Sequence, residues 1–439
     1  MLKYLFFSGG FFFLGGNFWM VLFSMIILFY LVMMANVNIF MFNNMFSWMG
    51  LDFISLLMIS LSIWICFLMI LTSIYIFENK FFHKLFILNM NFLLFFLLLT
   101  FISMDLFMFY FFFESSILPV LFMVIGWGYQ PERIQAGIYL IFYTLFASLP
   151  MLMGIFFTYK VFNSMDLFFF LDTNNIIMYF LMVTAFLVKM PMYLVHLWLP
   201  KAHVEGPVSS SMILAGVMLK LGGYGLIRFL KLVVLFSVKM SIFWMIISLM
   251  GGVYISIMCL HMMDLKLLIA YSSVVHMSLV IGGLVSLNYF GMVGSLMLMV
   301  GHGLCSSGLF VLINILYERL GSRSMLINKG LINMFPVLSL WWFLLLSSNM
   351  AAPPSLNLFG EISLMMSIIS WSKWNLILLM MISFFSASYS IYVFTGSQHG
   401  SLLKGVNFMK MINFREILIL FLHWVPLNLI IFKMDYFMI

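Results

Sequence analysis

The chain has 439 residues, of which 65% are hydrophobic and 8% charged, with a formal net charge of +7 and a mean hydropathy of +1.19. A soluble domain carries about 25% charged residues. This composition excludes a soluble enzyme and leaves an all-α polytopic membrane protein. Lys and Arg are scattered through short loops and form no basic stripe, so nucleic acid is not an expected partner.

Apolar runs of about 20 residues, separated by polar or turn-rich gaps, predict about 14 transmembrane helices. Their centres fall near residues 8, 27, 64, 95, 116, 147, 187, 218, 250, 274, 304, 352, 385 and 424. The first is read as a short span rather than a signal peptide, because no small-residue cleavage site precedes Asn17. The run near 352 is the least regular, since Pro353-Pro354 interrupts it.

Alternate assignment of the loops puts eleven basic residues on one side: Lys80, Lys84, Arg133, Lys201, Lys266, Arg319, Arg323, Lys329, Lys404, Lys410 and Arg415. The other side receives seven: Lys3, Lys160, Arg228, Lys231, Lys239, Lys373 and Lys433. The richer side is expected to face the matrix or cytoplasm, with both termini opposite. Met 44, Phe 53 and a scarcity of Arg point to an AT-rich mitochondrial genome with an extra Met codon. The three cysteines, Cys66, Cys259 and Cys305, lie in apolar context without iron–sulfur or disulfide spacing.

Two runs read as spans broken within the membrane. Val188 to Pro207 contains Lys189, Pro191 and Pro200, and Leu338 to Ser370 contains Pro353-Pro354, Asn357, Gly360 and Glu361. Paired breaks of this kind mark transport sites.

The functional candidates are charges at mid-span depth. A charged side chain there costs about 2.5–3.5 kcal/mol on insertion scales. Glu114, Lys189, Lys220 and Glu361 all fall in such positions. Pro191 loosens the helix beside Lys189 and frees a carbonyl. His196, seven residues on, would share its helical face. Gly222, Gly223 and Gly225 surround Lys220 with room for neighbouring helices. Glu114 is the expected partner of Lys189. The competing readings are a snorkelling Lys189, a structural ion pair at Lys220, a neutral hydrogen-bonded Glu114 and a surface Glu361.

Neutral relays lie between them. Ser272 and His276 are four apart, and Ser295, His302 and Ser306 make one polar face. Histidine passes protons through either nitrogen near neutral pH. His203 and Glu205 sit at an expected helix start, where capping competes with a proton entrance. His83, His261, His399 and His423 are expected in loops or at the interface. No G-x-x-x-x-G-K-[ST] and no G-x-G-x-x-G after a strand occur, so ATP hydrolysis and NADH binding by this chain are not expected. The many methionines read as core or codon bias rather than copper ligands.

The stretch from Phe186, FLVKMPMYLVHLWLPKAHVEGPVSSSMILAGVMLKLGGYGLIR, resembles the signature of the antiporter-like subunits of respiratory complex I. FYFFFESSILPVLFMVIGWGYQPERIQAG, from Phe109, resembles that family's glutamate-bearing helix, and AYSSVVHMSLV, GHGLCSSGLF and PPSLNLFGEI fit as well. The motifs cover roughly residues 80 to 400; Gly206 and Ser210 depart slightly from the family's Ala and Gly.

The resemblance implies about 14 helices with two inverted five-helix repeats. It divides the chain into amino-terminal helices (1–80), a first repeat (81–235), a second, inverted repeat (236–400) and a carboxy-terminal helix (401–439). By motif, Glu114 and Lys189 resemble the coupled ion pair, Lys220 the central-axis lysine, His276 and His302 relay positions, and Glu361 the exit residue. His196, His203, Glu205, Ser272 and Ser306 are secondary candidates.

The implied function is proton translocation in the mitochondrial inner membrane, driven by quinone reduction elsewhere in the complex. The chain would hold no cofactor or metal of its own, while the complex uses NADH, flavin, iron–sulfur clusters and ubiquinone. Expected partners are the other complex I membrane subunits, including neighbouring antiporter-like ones, and membrane lipid such as cardiolipin. The alternatives are a subunit of an independent cation/proton antiporter and a passive structural subunit.

Overall fold

A computed structural model describes residues 2–14, 16–35, 43–167, 175–401 and 411–437. Lys404 and Lys410, used above to assign the loops, lie outside the described residues.

Helix dominates because an apolar segment in a bilayer must satisfy every backbone group internally. Among the described residues, 10 helices are long and apolar enough to cross a membrane. Four shorter apolar helices accompany them: Leu2–Leu14, Phe18–Met33, Ile176–Lys189 and Leu356–Trp371. Each expected centre falls on one of these helices except that near residue 352. There the chain forms two helices, Pro336–Asn349 and Leu356–Trp371, with Pro353 and Pro354 between them. The described residues also contain a small antiparallel hairpin, Asn43–Phe46 with Met49–Leu51, that the hydropathy pattern does not reveal. Trp48, in its turn, accepts a 2.8 Å hydrogen bond from the Met104 amide.

The chain divides into two compact units, one built from Met1–Met190 and Glu205–Met240, the other from Pro191–Val204 and Ser241–Met438. In the first, Phe53–Thr72 packs between Phe18–Met33 and His83–Ile102, and Ile176–Lys189 packs on Arg133–Phe162 and Leu219–Phe229. Asp52 starts Phe53–Thr72 with a capping box: its amide donates to the Ser55 hydroxyl at 2.8 Å. The Arg228 guanidinium, at the far end of Leu219–Phe229, pairs with the Asp52 carboxylate.

In the second unit, the helix Tyr289–Leu320 has 32 residues and at 1.5 Å per residue is about 48 Å long. It packs against Leu265–Val285, Leu356–Trp371 and Phe414–Leu429. The break after Asn349 leaves carbonyls without helical partners. The Asn357 side-chain amide donates to one of them, the Ser348 carbonyl, at 2.8 Å. His423 is fully buried in Phe414–Leu429, its Nδ1 2.8 Å from the Ile419 carbonyl, so its assignment to a loop or interface does not hold.

Two helix backbones meet closely at Gly291, where an added Cβ would lie 2.2 Å from the Gly283 carbonyl oxygen. A main-chain atom cannot step aside as a flexible side chain can. Gly291→Ala should force Tyr289–Leu320 away from Leu265–Val285, at about 1–3 kcal/mol typical of overpacking. The expected result is less assembled complex on native gels; wild-type assembly would show that the contact tolerates a methyl.

Candidate functional site

The first constellation lies in the unit that carries Glu114, Lys189 and Lys220. The helix Ile176–Lys189 stops at Lys189, because Pro191 can neither donate an amide nor avoid the preceding turn. The Met190 amide still reaches the Phe186 carbonyl at 2.7 Å, and the chain then turns. Lys189 is 3% exposed. Its ammonium donates to the Phe113 carbonyl at 3.0 Å and sits 2.9 Å from the centre of the Phe113 ring. An aromatic face and a carbonyl together offer a cation two neutral acceptors.

Phe113 precedes Glu114 near the end of Leu106–Ser115, and a second helix, Ile117–Trp127, follows after Ser116. Pro119 removes a donor at this junction, and the Ser116 hydroxyl also donates to the Phe113 carbonyl, at 2.8 Å. Both Glu114 carboxyl oxygens are buried without a hydrogen bond of good geometry. Lys189 acts on the carboxyl by its charge, and the Ser148 hydroxyl is its hydrogen-bonding neighbour. Among the described residues no direct ion pair joins Glu114 to Lys189; the lysine takes the neighbouring main-chain oxygen instead. A charged side chain in low dielectric that is not locked to a fixed counter-charge can change protonation state without losing a salt bridge.

Lys220 is fully buried. The five residues before Leu219, Leu214–Met218, form a π-helical turn, in which the Leu219 amide reaches back five residues to the Leu214 carbonyl. Such widened turns are rare and recur at functional sites. The Lys220 ammonium donates to the Ala215 carbonyl inside this turn. Close packing holds the lysine helix: a Cβ on Gly225 would meet the Phe186 ring at 2.1 Å, and one on Gly222 would meet Met190 Cγ at 2.6 Å.

The second constellation lies in the other unit. Glu361 is 7% exposed, and its Oε1 is 3.3 Å from His276 Nδ1. Glu361 is not an exposed acid, because Leu356–Trp371 packs it inward against Leu265–Val285. The His276 and His302 rings are 5.4 Å apart, centre to centre. Tyr389 Oη is 3.4 Å from His276 Nε2. The serines play a smaller part than their spacing suggests. Ser272 donates to the Ile269 carbonyl at 2.8 Å and Ser306 to the His302 carbonyl at 2.6 Å, both within their own helices.

His196, His203 and Glu205 take other places in the chain. His196 does not continue the helix of Lys189, because the helix has already ended; its ring stacks on Tyr193 with centres 5.5 Å apart. His203 is buried and stacked on Phe310 at 4.8 Å. It and Glu205 close the short helix Trp198–Glu205 rather than opening one; the next helix begins at Val208. Sequence reasoning missed Asp52–Arg228, the π-helical turn and Tyr389. Only Tyr389 carried any local signal, a buried tyrosine amid the serines Ser386 and Ser390.

Known proteins settle the lineage. Residues 103–386 match the family described as "NADH:quinone oxidoreductase/Mrp antiporter, TM", and residues 1–100 match "NADH-ubiquinone oxidoreductase chain 4, amino terminus". NADH-ubiquinone oxidoreductase chain 4 of Ceratitis capitata is 56% identical over 427 residues, 96% of this chain and 95% of that one. That of Aedes aegypti is 53% identical and covers 100% of both chains.

The chain belongs to the NADH-ubiquinone oxidoreductase chain 4 family. A chain of the structure described as respiratory complex I from Thermus thermophilus with bound NADH superposes on this chain-4 protein with a TM-score of 0.84 at 24% identity, covering 98% of this chain and 93% of that one. A chain of the Mrp complex from Dietzia sp. DQ12-45-1b gives 0.83 at 14% identity, covering 100% and 94%. At these identities the likeness is one of fold.

One carboxyl pair lies at the entry to the Glu114 helix. Asp105 stands just before Leu106, and its strand-like bridge to Asp166 is closed by the Leu106 amide on the Met165 carbonyl (2.9 Å) and the Leu167 amide on the Met104 carbonyl (3.1 Å). Burial, then the hydrogen bond and charge of Asp166, push the Asp105 carboxyl up to about 6. A raised folded value means that the native state holds a proton which the unfolded chain releases near pH 4. The bridge is therefore firmest below that range and loosens as pH rises through about 6. Hydrogen-exchange protection of the Leu106 and Leu167 amides should drop between pH 5 and 7, on the order of one unit either side of that value, and Asp105→Asn should flatten the profile. Protection that stays level in the wild type would contradict this.

Proposed function

We propose that this chain is a proton-translocating membrane subunit of mitochondrial NADH:ubiquinone oxidoreductase, and that protons move through Glu114, Lys189 and Lys220 in the first unit and His276, His302 and Glu361 in the second. The reading rests on one observation above all: Lys189 is buried against a main-chain carbonyl beside Glu114, whose carboxyl oxygens are buried and form no direct ion pair with it among the described residues. Such a lysine can be loaded and unloaded by moving a negative charge toward or away from it. Drawing Glu114 away leaves Lys189 with neutral acceptors only, which disfavours its extra proton and sends it onward. Lys220, held by the Ala215 carbonyl, is a second such station. In the other unit, Glu361 is the terminal carboxyl, and His276 and His302 hand protons to and from it. His196, His203, Glu205, Ser272 and Ser306 have supporting roles at most.

Moving one charge against each 100 mV requires about 2.3 kcal/mol. That work reaches the chain through contacts with other complex I subunits, because the redox chemistry and its cofactors belong to the rest of the complex. Neighbouring antiporter-like subunits and lipid such as cardiolipin are the proposed contacts, and the mitochondrial inner membrane is the proposed site. The repeats are proposed to run over 81–235 and 236–400. Kinship with chain-4 proteins favours this reading over an independent antiporter, whose likeness here is of fold.

Lys189→Ala tests it. In assembled complex reconstituted into vesicles, protons moved per NADH oxidised should fall, while NADH oxidation with an ionophore present continues. An unchanged proton yield would remove Lys189 from the path.

A further inference from the structure

We propose that Tyr389 is a positioning residue of the Glu361 site: its phenol selects the tautomer of His276 and so decides when Glu361 can exchange a proton with that ring. The inference rests on the reading of His276 and Glu361 as proton carriers.

His276 has a defined neighbour at each nitrogen. Nδ1 faces Glu361 Oε1 at 3.3 Å and Nε2 faces Tyr389 Oη at 3.4 Å. All three side chains are buried: His276 2%, Glu361 7% and Tyr389 1% exposed. They come from three helices, Leu265–Val285, Leu356–Trp371 and Asn375–Gln398, which pack on one another. The arrangement is carboxyl, imidazole, hydroxyl in series.

Protonation chemistry then couples the three. An ionised Glu361 can only accept, so the facing Nδ1 must carry hydrogen. In a neutral ring Nε2 is then an acceptor, and the Tyr389 hydroxyl donates to it. When Glu361 gains a proton it can donate to Nδ1, which requires the other tautomer, with hydrogen on Nε2. The Tyr389 oxygen must then accept, and its own hydrogen must rotate away. The two states differ by one proton on Glu361, one hydrogen moved between the imidazole nitrogens and one rotated hydroxyl. His276 cannot complete the change while Tyr389 holds its hydrogen on Nε2. Tyr389 thus sets which direction the ring passes a proton, without itself losing one. The adjacent His302 ring, 5.4 Å from His276 centre to centre, is the next group in reach of a turned-over imidazole.

Tyr389→Phe removes the hydroxyl and keeps the ring. It is to be compared with Glu361→Gln in assembled complex reconstituted into vesicles, reading protons moved per NADH oxidised and NADH oxidation with an ionophore. The expected result is normal assembly and normal uncoupled oxidation in Tyr389→Phe, with a proton yield lowered by about the same fraction as in Glu361→Gln. A residue that only packs would leave that yield unchanged. Lowered yield in Glu361→Gln with normal yield in Tyr389→Phe would overturn the role of Tyr389 alone. Normal yield in both would overturn the reading of the Glu361 site and this inference with it. Tyr389→Leu is the second variant, with the same loss of yield expected. Failure of both tyrosine variants to assemble would assign the residue to the scaffold and overturn the proposal.

Discussion

Main-chain carbonyls hold both buried lysines of the first unit, and the helices around them are shaped to supply those carbonyls. Lys189 lies on the Phe113 oxygen and Lys220 on the Ala215 oxygen. In a regular helix each carbonyl already accepts from the amide four residues on and has one lone pair left for a side-chain donor. Carbonyls are most open to a lysine where the ladder is disturbed. Beside Glu114 the disturbance is the junction at Ser116 with Pro119 beyond. Before Lys220 it is the π-helical turn. In hydrocarbon, irregular backbone survives only where protein covers it, so these disturbances and the lysines they serve must be buried together.

A carbonyl differs from a carboxylate as a lysine partner in one respect that matters for transport. Removing the proton from a lysine in a tight salt bridge strands a buried charge, which is costly. Removing it from Lys189 breaks no direct ion pair among the described residues. The second unit solves the corresponding problem differently. There the acid faces an imidazole, which can offer either a donor or an acceptor. Each unit therefore pairs a titratable group with a neighbour that tolerates both of its states.

The ion pairs elsewhere have a different character. Arg228 with Asp52 and Arg319 with Glu416 tie helix ends to one another, and in both the acid also serves a capping box. Arginine stays charged under all working conditions and offers a carboxylate a planar fork of donors. It suits a fixed joint as well as lysine suits a movable charge. The five arginines do not include any of the proposed carriers.

The sequence by itself determined the order of the apolar helices, the two breaks and the four charged residues set in apolar runs, because hydropathy and proline chemistry act over a turn or two of chain. It also carried the motifs that place the chain in its family. Only the tertiary structure decided what each charge touches. His276 and Glu361 are far apart in sequence, and nothing local says that their side chains meet at 3.3 Å. The motifs pair Glu114 with Lys189, yet the lysine bonds to the Phe113 carbonyl rather than to the carboxyl. The π-helical turn at Leu214–Met218 and the buried His423 escaped for the same reason, and periodicity carries His196 onto the Lys189 face across a break that Pro191 already marks. Periodicity assumes an unbroken 3.6-residue helix, whereas packing against neighbours determines where that helix widens, stops or turns a polar group inward.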